Sequence, residues 1–176
     1  MTTKRMLLGL TAAAAAGLAA LIGITFASNL LQLAVATLVS NEEWRTPPVF
    51  QGVLLYAVFG FPLSLIFSMA IGLPVWKRAE SRPLRSSRDA IALGANVGAT
   101  IGLLLLTFSL VMGLRTYFDD NSSYNSWSWG YQVTKDGLPT LFGWLFKLLN
   151  VLYFTLAGAA GGLAARWTAL PKVERQ

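Results

Sequence analysis

AIALGANVGATIGLLLLTFSLVMGL, residues 90–114, carries no charged side chain. At about 1.5 Å of rise per residue it is long enough, as a helix, to cross a hydrocarbon layer of about 30 Å. Gly94, Gly98 and Gly102 recur within it at every fourth residue. Positions four apart lie almost in line on a helix, so three missing side chains open a shallow groove in which a second helix can approach backbone to backbone. Lipid tails are as apolar as leucine, and helices in a bilayer therefore associate through close packing and occasional hydrogen bonds. The groove is expected to be a helix-packing face.

The composition extends this reading to the whole chain. Of 176 residues, 55% are hydrophobic and 12% charged, a balance foreign to water-soluble domains. The expected fold is an all-α integral membrane protein, with four transmembrane helices in a single bundle and one domain over residues 1–176. The spans are placed at 6–28 with a helical extension to 39, at 49–76, at 90–114 and at 141–165.

Upstream of the central stretch, Met6 to Val39 is free of charge and would measure about 51 Å as one helix, more than the hydrocarbon core requires. The membrane portion is expected to end near Ser28-Asn29, with a less apolar extension beyond. Reversal at that point into two short spans is the alternative. Thr25-Phe26-Ala27 forms only a weak signal-peptidase site, and small residues and leucines continue past it, so no cleavage is expected. The connector NEEWRTPP stops the first helix at Pro47-Pro48. Pro62 lacks a backbone donor and is expected to bend the second span, with Ser64 or Ser68 satisfying the loosened carbonyls.

Residues 77–89, KRAESRPLRSSRD, fix the orientation. Short loops rich in Lys and Arg stay in the cytoplasm. With four spans, Lys4, Arg5, Lys77, Arg78, Arg82, Arg85, Arg88, Arg166, Lys172 and Arg175 lie on one side, against Arg45, Arg115 and Lys135 on the other. Both termini are then cytoplasmic, and the expected location is a bacterial cytoplasmic membrane. The net charge of +6 is explained by this asymmetry, and no nucleic-acid partner is expected.

Residues 115–140 form the one sizeable outer loop. Trp127, Trp129, Tyr131 and Val133 alternate with small polar residues, the period of a half-buried strand, and Lys135-Asp136-Gly137 follows as a turn. A short β-like segment with one aromatic face is expected between the third and fourth helices, and Trp127, Trp129 and Tyr131 are its candidate partner-binding residues. In the fourth span, introduced by Thr140 as N-cap, Gly158 and Gly162 repeat the four-residue spacing, with Ala157, Gly161 and Ala165 on the adjoining row. A second packing face is expected there, and Thr11 to Ala20 offers a third.

The chain contains neither cysteine nor histidine. This removes disulfides, thiolate and imidazole metal sites, cysteine nucleophiles and the commonest general base. All acidic residues, the adjacent Asp119-Asp120 included, lie in loops or tails, so neither a metal nor another cofactor is expected. Lys147 is the one charge inside a span, and such charges are costly enough to be functional candidates. With Asn150 one turn deeper and Asn96 in the third span it makes a candidate polar site facing the bundle interior.

Two short connectors, one larger outer loop and internal termini resemble four-span scaffolds such as the tetraspanins, whose loop depends on cysteines that are absent here. The absence of cysteine also excludes the four-span quinone-linked disulfide oxidoreductases. The expected function is non-enzymatic: an accessory, assembly or protective subunit that meets lipids and another membrane protein, or itself, through its glycine-lined helices and aromatic loop. A small oligomeric permease or channel using Lys147, Asn150 and Asn96 is the alternative.

Overall fold

The structure, a computed structural model, describes residues 3–40, 49–74, 86–119, 123–128 and 130–169. It is mostly helical, with four helices and a small three-stranded sheet. Three of the helices are long and apolar enough to cross a membrane, over Lys4–Leu31, Ser87–Tyr117 and Leu141–Thr168, and Val58–Gly72 is a shorter apolar helical stretch. The connector 41–48, most of the basic loop (75–85) and the tail beyond 169 lie outside the described residues.

Helix α1 (Thr3–Ser40) runs unbroken for 38 residues, so the chain does not reverse at Ser28-Asn29. Neither residue removes a backbone donor or brings the conformational freedom of glycine, and the helix propagates through them. Helix α2 (Val49–Phe67) passes through Pro62 and continues into a π-helical turn, Ser68–Gly72. The two serines act differently from each other: Ser64 donates to the Phe61 carbonyl at 2.9 Å, whereas Ser68 donates across to the Leu10 carbonyl of α1 at 3.1 Å. Helix α3 (Ser87–Tyr117) starts three residues earlier than its apolar run. A reciprocal cap explains the early start. The Asp89 amide donates to Ser86 Oγ and the Ser86 amide to Asp89 Oδ2, both at 3.1 Å. Helix α4 (Leu141–Ala169) closes the chain, with Arg166 donating to the Ser87 hydroxyl in the first turn of α3.

Residues divide into two compact units, Met1–Gly98 with Thr155–Gln176, and Ala99–Phe154. In the first, the interior is made of small side chains. Ala14, Ala90, Ala157 and Ala165 are buried with Leu10, as are Gly98 and Gly161. Large apolar side chains point outward instead, Phe59 being 68% exposed. Such an arrangement is costly in water, where contiguous apolar patches are rare, and costs nothing against lipid.

The α3–α4 seam in this unit is backbone against backbone. A Cβ on Gly94 would overlap the Gly158 carbonyl oxygen and stand 2.9 Å from Gly162 Cα; one on Gly158 would overlap the Gly94 carbonyl and stand 2.9 Å from Gly98 Cα; one on Gly162 would overlap the Ala90 carbonyl. The glycine Cα–H groups therefore point at carbonyl oxygens across the seam, weak hydrogen bonds of about 0.5–1 kcal/mol each. The adjoining row of α4 meets α1: a Cβ on Gly161 would lie 2.8 Å from the Ala13 carbonyl, and one on Gly17 3.2 Å from the Ala157 carbonyl. Against α2 the relation is side chain to glycine, with Leu10 beside Gly72 and Leu18 beside Gly60, each 3.1 Å from where a Cβ would stand. Residue numbers rise on one helix as they fall on the other in all three contacts, so α1 is antiparallel to α2 and α4, and α3 to α4.

Gly94→Ala is expected to lower thermal stability in mild detergent by about 1–3 kcal/mol, since the new methyl group meets backbone that cannot swing aside. Gly23, in α1, has nothing within 4 Å of its Cβ position. Gly23→Ala should leave stability unchanged or raise it by up to about 1 kcal/mol through helix propensity. Equal melting temperatures for the two variants would contradict a close-packed seam.

Candidate functional site

The second unit consists of the remaining halves of α3 and α4 with the loop between them. Its buried described residues are three glycines, Gly102, Gly137 and Gly143. Gly102 packs on α4, its Cβ position lying 3.0 Å from Val151 Cα and 3.3 Å from Phe154 Cβ.

The loop folds as a meander, β1 (Ser126–Ser128), β2 (Tyr131–Lys135) and β3 (Leu138–Pro139), paired antiparallel in that order. This corrects the single aromatic-faced strand expected from alternation. Gly130, at φ +76°, lies where the chain reverses between β1 and β2, and Ser128 pairs with Tyr131 and Trp127 with Gln132. Cross-strand partners share a face and neighbours along a strand alternate; Trp127 and Tyr131 are therefore on opposite faces. Trp127 is 63% exposed. Tyr131 stacks on Phe142 in the first turn of α4, with centroids 4.3 Å apart and planes 19° from parallel. Trp129 lies outside the described residues.

The expected turn at Lys135-Asp136-Gly137 is present. Asp136 (φ +49°) and Gly137 (φ +84°) are both left-handed, joining the Lys135–Leu138 pair as a tight hairpin turn. Asn125 bridges the meander, its side-chain oxygen accepting from the Asp136 amide at 3.1 Å and from Gln132 Nε2 at 3.2 Å. Val133 is the extra residue where the β1–β2 register slips. Its carbonyl accepts from the Thr140 amide at 3.1 Å. Thr140 is the N-cap of α4: its hydroxyl donates to the Gln132 carbonyl at 2.6 Å and accepts from the Gly143 amide at 3.2 Å. The same side chain thus starts a helix and anchors a strand.

Glycines also seat the meander on both helices. A Cβ on Gly113 of α3 would overlap the Gly137 carbonyl, and one on Gly143 of α4 would overlap that of Val133. The spacing rule missed these residues because each is isolated in sequence.

Of the candidate polar residues, Lys147 and Asn150 belong to this unit and Asn96 to the other. The Lys147 ammonium donates to the Ser109 hydroxyl of α3, a partner with no sequence signal of its own. Asn150 is exposed on the same face of α4, and Asn96 is exposed on the part of α3 that belongs to the other unit. Among the described residues no group of three or more acidic side chains could hold a metal ion. In comparisons with known proteins, no protein family, no curated protein and no solved structure matches this chain.

Gly113→Ala should undock the turn from α3, seen as faster proteolysis between residues 123 and 140 and a lower melting temperature in detergent. Gly130→Ala meets nothing within 4 Å. It should cost only the about 1–2 kcal/mol of a left-handed alanine and leave that segment protected.

Proposed function

We propose that this chain is a four-span protein of a bacterial cytoplasmic membrane, with both termini inside, acting as a non-enzymatic accessory or assembly subunit that engages a membrane partner through its outer meander. The carrying observation is a meander pinned at several points to α3 and α4 that leaves Trp127 uncovered. Tyr131, itself 52% exposed, lays one ring face on Phe142, the turn is seated on Gly113, and the strands are tied to the cap of α4. Trp127 is held by this rigid support yet remains mostly exposed. An uncovered tryptophan on such a platform offers large contact area at low entropy cost. The antiparallel order of the helices and the ten-to-three distribution of basic residues support the orientation, and the outward-facing phenylalanines and leucines of α2 and α3 support the lipid setting.

The Lys147–Ser109 contact favours a second reading, a small oligomeric permease or channel. Proteoliposomes that pass inorganic ions only when Lys147 is intact would move that reading ahead.

Trp127→Ser should abolish retention of the partner during purification in mild detergent, read by quantitative mass spectrometry against wild type, without lowering the melting temperature. Tyr131→Ser should instead destabilise the protein by about 0.5–1.5 kcal/mol, the value of one aromatic pair. A Trp127→Ser variant that keeps every associated protein would refute the meander as the docking element. For orientation, cysteines replacing Ser123 and Gln176 in this cysteine-free chain should differ in intact cells: an impermeant maleimide labels the first and not the second. Labelling of both would overturn the proposed topology.

A further inference from the structure

The edge of the α3–α4 pair in the second unit carries polar groups in an apolar setting. Lys147, Asn150 and Ser109 sit among the exposed side chains of Leu105, Phe108, Met112 and Leu148. Lys147 has three donor hydrogens, and its one hydrogen bond among the described residues is to Ser109, itself exposed. Asn150, one turn on, has no hydrogen-bond partner for its side chain among the described residues. The described acidic residues, Asp89, Asp119 and Asp136, all lie outside the three long apolar runs or at their ends.

A lysine near a membrane surface ordinarily extends its stem toward the headgroups. Here the seam register argues for a different placement. Gly102 faces Val151 and Phe154, and seven residues further along α3 Ser109 stands level with residues 145–146 of α4. The ammonium is therefore held sideways, near the depth of its own Cα, while the start of α4 at Leu141 is six residues away, about 9 Å. A cation and a free amide fixed at that depth on an outward edge are matched by a carboxylate arriving at the same depth on another helix.

We propose that the Lys147–Ser109–Asn150 edge docks a membrane-spanning helix that carries an aspartate or glutamate in its outer third. This rests on the accessory-subunit reading and specifies the chemistry of the partner. The carboxylate accepts from the ammonium and from the Asn150 amide, replacing lipid at a site where a lone charge is costly.

The test uses the full chain, labelled with a donor fluorophore, in phosphatidylcholine vesicles. The probes are acceptor-labelled synthetic Leu/Ala helices of about 24 residues, long enough to span, with Glu, Gln or Leu placed about two turns below the outer end. The Glu helix should associate about tenfold more tightly than the Leu helix, the scale of an interhelical polar contact in lipid. Lys147→Met should erase the difference, Lys147→Arg should keep it, and Lys147→Glu should transfer the preference to a Lys-bearing helix. Thermal stability in detergent identifies any variant that fails to fold, and Lys147→Arg then carries the comparison. Equal association of the Glu and Leu helices with wild type overturns the proposal. So does a preference abolished by adding phosphatidylglycerol, which would make a headgroup phosphate the occupant. Neither outcome touches the Trp127 experiment, so the two readings fail separately.

Discussion

Everything in the first unit depends on two helices touching without side chains between them. Where Gly94 faces Gly158 and Gly162, carbonyl oxygens occupy the space a Cβ would need. Such contacts gain dispersion and Cα–H···O interactions at short range, and both fall off steeply with distance. A single methyl group anywhere along the row forces the helices apart along its length. Apart from Leu10, the buried residues are small because the contact demands it, and most large residues are outside because little room is left for them within.

Helix α4 has a further constraint. Its 158/162 row lies against α3 while its 157/161 row lies against α1, so two neighbouring stripes on one helix serve two different partners. Rotation of α4 by one position would bring Ala159 and Leu163 against α3 in one direction, or Leu156 and Ala160 against α1 in the other. The glycine-rich segment is thereby specified as a whole, and the rotational setting of three helices follows from one short run of sequence.

The repeating glycines were legible in the sequence because helical periodicity converts spacing into a shared face. Gly60, Gly72, Gly113 and Gly143 were not, since whatever fills the space beside each comes from elsewhere in the chain. The meander shows the complementary failure. Alternation of aromatic and polar residues was read straight through Gly130, yet a glycine within such a pattern marks a break, and the reversal there sends Trp127 and Tyr131 to opposite faces. The cost of Lys147 within an apolar run was plain from the sequence, but its partner was not. Ser109 is one hydroxyl among several in α3, and only the packing of that helix selects it.

The contacts also impose an order on assembly. Helices α1 and α2 meet through Leu10 with Gly72 and Leu18 with Gly60, and both members of each pair are synthesised before α3 and α4. The seams of α1 and α3 described above run instead to α4, which is made after the other three helices. Until residues 157–162 arrive, α3 has its glycine groove open to lipid. The first unit therefore closes only once α4 has been made, and a nascent chain interrupted before that point is a paired hairpin with one unpartnered helix.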